Sequence, residues 1–172
     1  SKKGGEFQMV QLWVNLPAKY KSGMPGYQNL RNADMAKIQL PDGGGEIEII
    51  AGEYEGYKGR AATFSPIHLF NAKLKKGSKK TFSFPADYTT SILMIEGSAR
   101  VNDSETVPQD HFVMFKKEGE SFTIEALEDA VALVLSGEPL REPIAAHGPF
   151  VMNTREEIVQ AFKDYNNGKF GY

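Results

Sequence analysis

The sequence predicts a mainly β domain of sandwich or barrel type, closed by one C-terminal α-helix. Three observations carry this: a succession of short segments rich in β-branched and aromatic residues, turn residues between most of them, and a single stretch with helical periodicity and caps at both ends. Glycine and proline supply 17 and 9 of the 172 residues, so turns should be frequent.

The elements follow in order. Residues 8–16 alternate, with Val10, Leu12 and Val14 on one side and Met9 and Gln11 on the other. Pro17, which has no amide to give to a ladder, should end that strand. The pattern lapses between 17 and 34, where Lys19 to Tyr27 reads as a long connection between two lobes. After the turn Asp42-Gly43-Gly44-Gly45, strands are expected at 46–51, 58–64, 67–74, 91–96, 99–101, 112–115, 121–124 and 131–135.

The helix is expected from Thr154. The Thr154 hydroxyl is placed to accept from the Glu157 amide while the Glu157 carboxylate reaches back, a capping box. Ile158, Ala161, Phe162 and Tyr165 form one apolar stripe, and Asn166-Asn167-Gly168 supplies a left-handed stop. A helix this short is marginal alone, so its stripe should dock, and the segment around Trp13 is the expected surface.

Composition excludes several function classes. The formal net charge is −2, and a domain that neutralises phosphates by itself normally carries a basic surplus, so no direct nucleic-acid partner is expected. Cysteine is absent, which excludes disulfides, thiolate metal sites and cysteine nucleophiles. No apolar run approaches the roughly 20 residues of a membrane span, so no membrane partner is expected. The start lacks both a signal peptide and an initiator methionine, which suggests a processed or truncated chain in the cytoplasm, or also the nucleus in a eukaryote.

No self-sufficient catalytic constellation is visible. His68, His111 and His147 lie far apart in sequence with no metal-ligand spacing between them, and each has an ordinary structural or solvated reading. No G-x-S-x-G occurs. The pairs Glu118 with Glu120 and Glu156 with Glu157 sit in turn or cap settings, and Gly43-Gly44-Gly45 lacks the lysine of a phosphate loop. Lys73, Lys75, Lys76, Lys79 and Lys80 read as a solvated edge that deters strand pairing.

Two segments resemble a known family. Val10-Gln11-Leu12-Trp13-Val14-Asn15-Leu16-Pro17, followed by Tyr27-Gln28, is similar to the Q-L-W-V-N-L segment of the pirins. Ser136-Gly137-Glu138-Pro139-Leu140-Arg141-Glu142-Pro143, then His147-Gly148-Pro149-Phe150-Val151-Met152-Asn153-Thr154 and Glu156-Glu157-Ile158, resembles the pirin C-terminal signature. The resemblance implies a bicupin, two jellyroll barrels (double-stranded β-helices) side by side. This chain would supply the tail of the first barrel and linker over 1–40, the whole second barrel over 41–150, and over 151–172 a helix packing back on the first segment.

The resemblance also sets expectations about chemistry. The pirin iron site belongs to the first barrel, upstream of anything present here, so no catalytic residue, metal ligand or cofactor is expected on this chain. The general cupin motif, started at Gly77, lands on Ser83, Pro85, Thr90 and Gly97, and its second half on Pro108, Asp110 and Val113, none of them a usable ligand set. Ser83, Thr90 and His111 are candidates for the polar lining of a pocket, with His111 turned inward by strand parity. The competing reading fills the barrel with Phe82, Phe84, Leu93, Ile95, Val113 and Phe115.

Three functions follow from the resemblance. The chain is a structural or partner-binding half, inactive alone, whose partner is the N-terminal cupin of the same protein or a second copy. Alternatively it is part of an iron-dependent flavonol (quercetin-type) dioxygenase. The third alternative is an iron-dependent transcription co-regulator that binds a regulator protein. In isolation, Trp13, Ile158 and Phe162 should lie bare.

Overall fold

The computed structural model describes residues 4–5 and 7–169, and within them the chain forms two compact units. The larger runs from Met24 to Arg141, and the smaller combines the residues up to Gly23 with those from Glu142 onward. The divisions fall at Gly23 and Arg141 and not at 40 and 150 because of two elements that the sequence pattern does not mark. One is a strand at 36–39 that pairs into the larger unit, and the other is a hairpin at 145–152 that goes with the helix.

Two antiparallel sheets make the larger unit. Its strands are β1 (Ala36–Gln39), β2 (Gly45–Ala51), β3 (Glu53–Tyr54), β4 (Tyr57–Lys58), β5 (Ile67–Leu74), β6 (Lys79–Ser83), β7 (Thr89–Glu96), β8 (Ala99–Val101), β9 (Glu105–Val107), β10 (Phe112–Met114), β11 (Ser121–Ala126) and β12 (Ala130–Gly137). One sheet has the order β1-β2-β5-β12-β7-β10 and the other β6-β11-β8-β9, while β3 and β4 form a small hairpin. Expected strand 58–64 shrinks to Tyr57–Lys58, because beyond it Ala61 makes only an isolated parallel bridge to Ala51, giving its amide to the Ile50 carbonyl, and Ala62 gives its amide to the Gln28 side chain.

Strand alternation sorts the side chains into rows. In the six-stranded sheet Ala36, Ile49, Phe70, Val134, Ile92 and Val113 are successive register partners, and Ile38, Ile47, Ala72, Ala132 and Met94 form the next row. Phe82, Phe122, Ile124, Val101, Ala99 and Val107 of the second sheet close over them in one core. Leu93 and Ile95, expected inside, lie one residue out of phase with Ile92 and Met94 and belong to the opposite face.

A charged cluster ties the chain before β1 to the outer face of this sheet. Glu48 on β2 is only 1% exposed. Lys73 donates to it at 2.7 Å and Asn71 at 3.0 Å, with further contacts from Asn32 and Lys37. Burial pushes the Glu48 carboxyl up, but the hydrogen bonds from Lys73, Asn32, Lys37 and Asn71 outweigh it and hold the pKa at about 2.

In the smaller unit β13 (Ala145–His147) and β14 (Phe150–Met152) form a hairpin, and α1 (Arg155–Asn166) packs on it. The capping box forms as expected: Glu157 donates its amide to Thr154 Oγ1 at 3.2 Å, and its carboxylate accepts from the Thr154 amide at 3.1 Å. At the other end Gly168 at φ 72° lets the Gly168 and Lys169 amides donate back to the Tyr165 and Asp164 carbonyls. The apolar stripe meets the hairpin, Phe162 standing edge-on to Phe150 at 4.9 Å, and Ile158 and Ala161 are buried within the unit that the helix shares with the residues up to Gly23.

Residues 8–16 form no ladder. A strand needs a hydrogen-bonded neighbour, and none of the described residues provides one. Trp13 is 68% exposed, and Phe7, Met9, Val10, Leu12 and Val14 are exposed beside it, whereas Ile158 is buried and Phe162 half-buried, contrary to the expectation that they lie bare.

Replacing Glu48 by alanine leaves Lys37 and Lys73 without their main counter-charge, and urea unfolding should show a loss of about 3 kcal/mol. The native chain should show an acid-linked loss of the same origin. Because the folded pKa lies below the unfolded 4.5, the Glu48 contribution is complete above about pH 4.5 and disappears as pH falls through 2. The Glu48→Ala variant should lack that acid limb in denaturant titrations taken at successive pH values.

Candidate functional site at the barrel mouth

The pleat of β6 decides what faces the interior. Phe82 points inward, Ser83 outward, and Phe84 just past the strand inward again, so the two motif-aligned positions Ser83 and Pro85 lie on the exposed side. The motif frame is one residue out of phase, and the alternation of Phe82, Ser83 and Phe84 is the signal that corrects it. Ser83 therefore does not line the interior.

Thr90 does line it. The residue is 9% exposed, and its Oγ1 lies 2.8 Å from Ser136 Oγ on the neighbouring strand. His111 is exposed, with Nδ1 placed 2.9 Å from the Gln109 carbonyl, so the tight turn at Asp110 (φ 62°) holds it outside the barrel. The inward-facing histidine is His68. It shares the inner face of β5 with Phe70 and packs 5.2 Å from Phe84 and 6.0 Å from Tyr88. Burial pushes its imidazole pKa down, with the main chain of Glu53 partly opposing, and Nδ1 is buried without a hydrogen-bond partner.

Below the mouth the interior is aromatic. Phe115 stacks on Phe122 at 4.2 Å, Phe122 on Phe82 at 5.5 Å, and Tyr54 lies 5.0 Å from Phe70. Burial, with the Glu55 carboxylate nearby, pushes the Tyr54 phenol up to about 12. A pocket of about 260 Å³ opens beside this stack, lined by Phe84, Tyr88, Thr90, Phe115, Phe122 and the 116–121 loop.

An iron centre does not fit these residues. Of the side chains facing the interior at the mouth, His68 alone is a nitrogen donor; Thr90 and Ser136 bring neutral hydroxyls, and Phe82, Phe84, Val113 and Phe115 offer no lone pair to a metal. Among the described residues no three of His, Cys, Asp and Glu come together as a metal-holding group.

The lysine run is largely neutralised. Lys75 pairs with Asp129 at 2.6 Å, Lys80 with Glu55 at 2.6 Å, Lys79 with Asp103, and Lys73 with Glu46 and Glu48. No helix among the described residues is long and apolar enough to cross a membrane.

Two facing antiparallel sheets, with a polar mouth and a packed interior, define a cupin barrel. Residues 69–171 match the Pirin C-terminal cupin domain, and the chain belongs to the pirin family. It is 42% identical over 167 residues to a Pseudomonas aeruginosa protein provisionally named quercetin 2,3-dioxygenase, covering 97% of this chain and 58% of that protein. It is 35% identical to pirin of Homo sapiens, over 95% of this chain and 57% of that one. A crystal structure of quercetin 2,3-dioxygenase from Acinetobacter baumannii superposes with a TM-score of 0.88 at 43% identity, covering 92% of this chain and 55% of that chain. The chain thus spans little more than half the length of these relatives.

Two measurements check the site. Phe82→Ala should cost about 3–5 kcal/mol in denaturant unfolding, because the ring is fully buried between Phe122 and Tyr54. In an NMR titration His68 should protonate below the ordinary 6.5. The unfolded chain then takes up that proton first, so stability is flat above about pH 6.5 and declines as pH falls below it.

Proposed function

We propose that this chain is the C-terminal, metal-free half of a two-barrel pirin, serving as scaffold and docking partner for the half that carries the chemistry. The observation that carries the reading is the aromatic filling beneath the mouth: Phe82, Phe84, Phe115 and Phe122 occupy the interior with rings that offer no donor to a metal. A second observation supports it. Residues 7–14 present a bare apolar run with no ladder, as a strand does whose neighbours belong to another body. The partner on this reading is the N-terminal cupin of the same protein or, in its absence, a second copy of this chain.

The relatives' name favours a second reading for the parent protein, a non-haem iron dioxygenase acting on a quercetin-type flavonol. Both readings assign the iron to the other barrel, and a co-regulator that binds a regulator protein would do the same. Location follows the parent, in the cytoplasm or, for a eukaryotic protein, the nucleus.

Elemental analysis of the purified chain should find iron far below one equivalent, and near one equivalent in a full-length parent. Stoichiometric iron in this chain alone would overturn the reading. In sedimentation at tens of micromolar the chain should self-associate through its bare run, an order of magnitude at which weak contacts are populated. Trp13→Ser together with Leu12→Ser should shift it toward monomer, whereas a native chain that is already monomeric would sink the docking role of residues 7–14.

A further inference from the structure

Every inward row of the central strands is apolar except the last. At the mouth, His68 on β5 is the register partner of Ser136 on β12, and Ser136 is the partner of Thr90 on β7. The Thr90 carbonyl in turn accepts from the Phe115 amide at 3.0 Å, which carries the row on to the aromatic stack. A polar row above an aromatic floor, beside an open pocket, is the arrangement of a small-molecule site and not of a core.

We propose that this row and the adjoining pocket bind a small, uncharged, single-ring aromatic molecule that carries a carbonyl oxygen, of the aromatic amide or aldehyde class. The donor count carries the polar half of the argument. Thr90 and Ser136 are 9% and 3% exposed, and their hydroxyl oxygens lie 2.8 Å apart. Two hydroxyls bring two hydrogens, and their mutual bond uses one. Among the described residues neither hydroxyl makes a second hydrogen bond, and His68 Nδ1 in the same row is also unpartnered, so the row keeps a hydrogen that a ligand oxygen beside the pocket can accept.

Shape and charge fix the rest of the class. Phe84, Phe115 and Phe122 give the pocket flat apolar walls that suit a ring, and Tyr88 closes the side toward His68. At about 260 Å³ the pocket falls below the roughly 300–1,000 Å³ of sites that enclose drug-sized ligands, so it takes one ring and not several. The row offers hydroxyls and an imidazole whose burial disfavours its charged form, and the one cation of the pocket lining, Lys116, is outnumbered there by Glu118 and Glu120, so a carboxylate is not favoured.

Benzamide, toluene and benzoate distinguish the parts of the proposal. Each is titrated into the 172-residue chain up to roughly 10 mM, where millimolar affinities are read directly, and followed by backbone amide NMR. Benzamide should shift the amides of residues 84–90 and 115–122 and bind about fivefold or more tightly than toluene, the worth of one satisfied hydrogen bond. Benzoate should bind more weakly than benzamide. Thr90→Val with Ser136→Ala should erase the advantage of benzamide over toluene while leaving toluene unchanged. Equal binding of benzamide and toluene by the native chain, shifts confined to other residues, or no shifts at all would each overturn the proposal, and none of these outcomes depends on a variant folding.

Discussion

The register of β12 is the constraint on which the rest of the larger unit depends. This strand is hydrogen-bonded along both edges, to β5 over Ala130 to Gly137 and to β7 over Val131 to Gly137. A shift of one residue would turn Ala132, Val134 and Ser136 out of the core and Val131, Leu133 and Leu135 into it. The pairing of β12 with β7 tolerates a single irregularity, at Val131 and Ala132, and it sits at the far end from the mouth. The two apolar rows and the polar mouth row are therefore set together by one strand. The Glu48 cluster acts on the outer face of the same sheet and anchors the chain that leads into β1. Exposed pairs such as Lys75 with Asp129 contribute far less, since water competes for both partners.

Much of this is legible in the sequence, and what escapes it has physical causes. Strands 67–74 and 99–101 are readable to the residue because turn-forming or charged residues bound them, Pro66 and Lys75 on the one and Gly97-Ser98 and Asn102-Asp103 on the other. The helix is readable because capping is local chemistry: Thr154, Glu157 and Gly168 suffice to mark both ends. The hairpin at 145–152 escapes because Ile144-Ala145-Ala146-His147 has little strand character alone and is held by the helix stripe. The run 8–16 fails in the opposite sense: its pattern is a strand's, but a strand is a property of two chain segments and only one is present among the described residues.

At the mouth the sequence yields less. Thr90 lies inside, but the expectation for Ser83 rests on a motif frame one residue out of phase with the pleat of β6, and that for His111 on a strand parity that the turn at Asp110 interrupts. His68 and Ser136 escape notice because nothing in their local sequence sets them apart. They matter only through cross-strand register, which links residues 68 positions apart in the chain. Family membership adds the barrel and its likeness to longer relatives, whereas the chemistry of this half has to be read from its own side chains.

The stack of Phe82, Phe122 and Phe115 also bears on how such a barrel could change over generations. Each ring is supported by the next, so exchanging one for histidine removes packing, and at the fully buried Phe82 it places an imidazole out of reach of water. A metal needs three or more donors at once, and every intermediate on the way carries the cost without the bond. The filled interior therefore works as a ratchet. Loss of a metal centre becomes hard to reverse once phenylalanines have closed over it, and further innovation is pushed outward to the rim, where single substitutions are cheap.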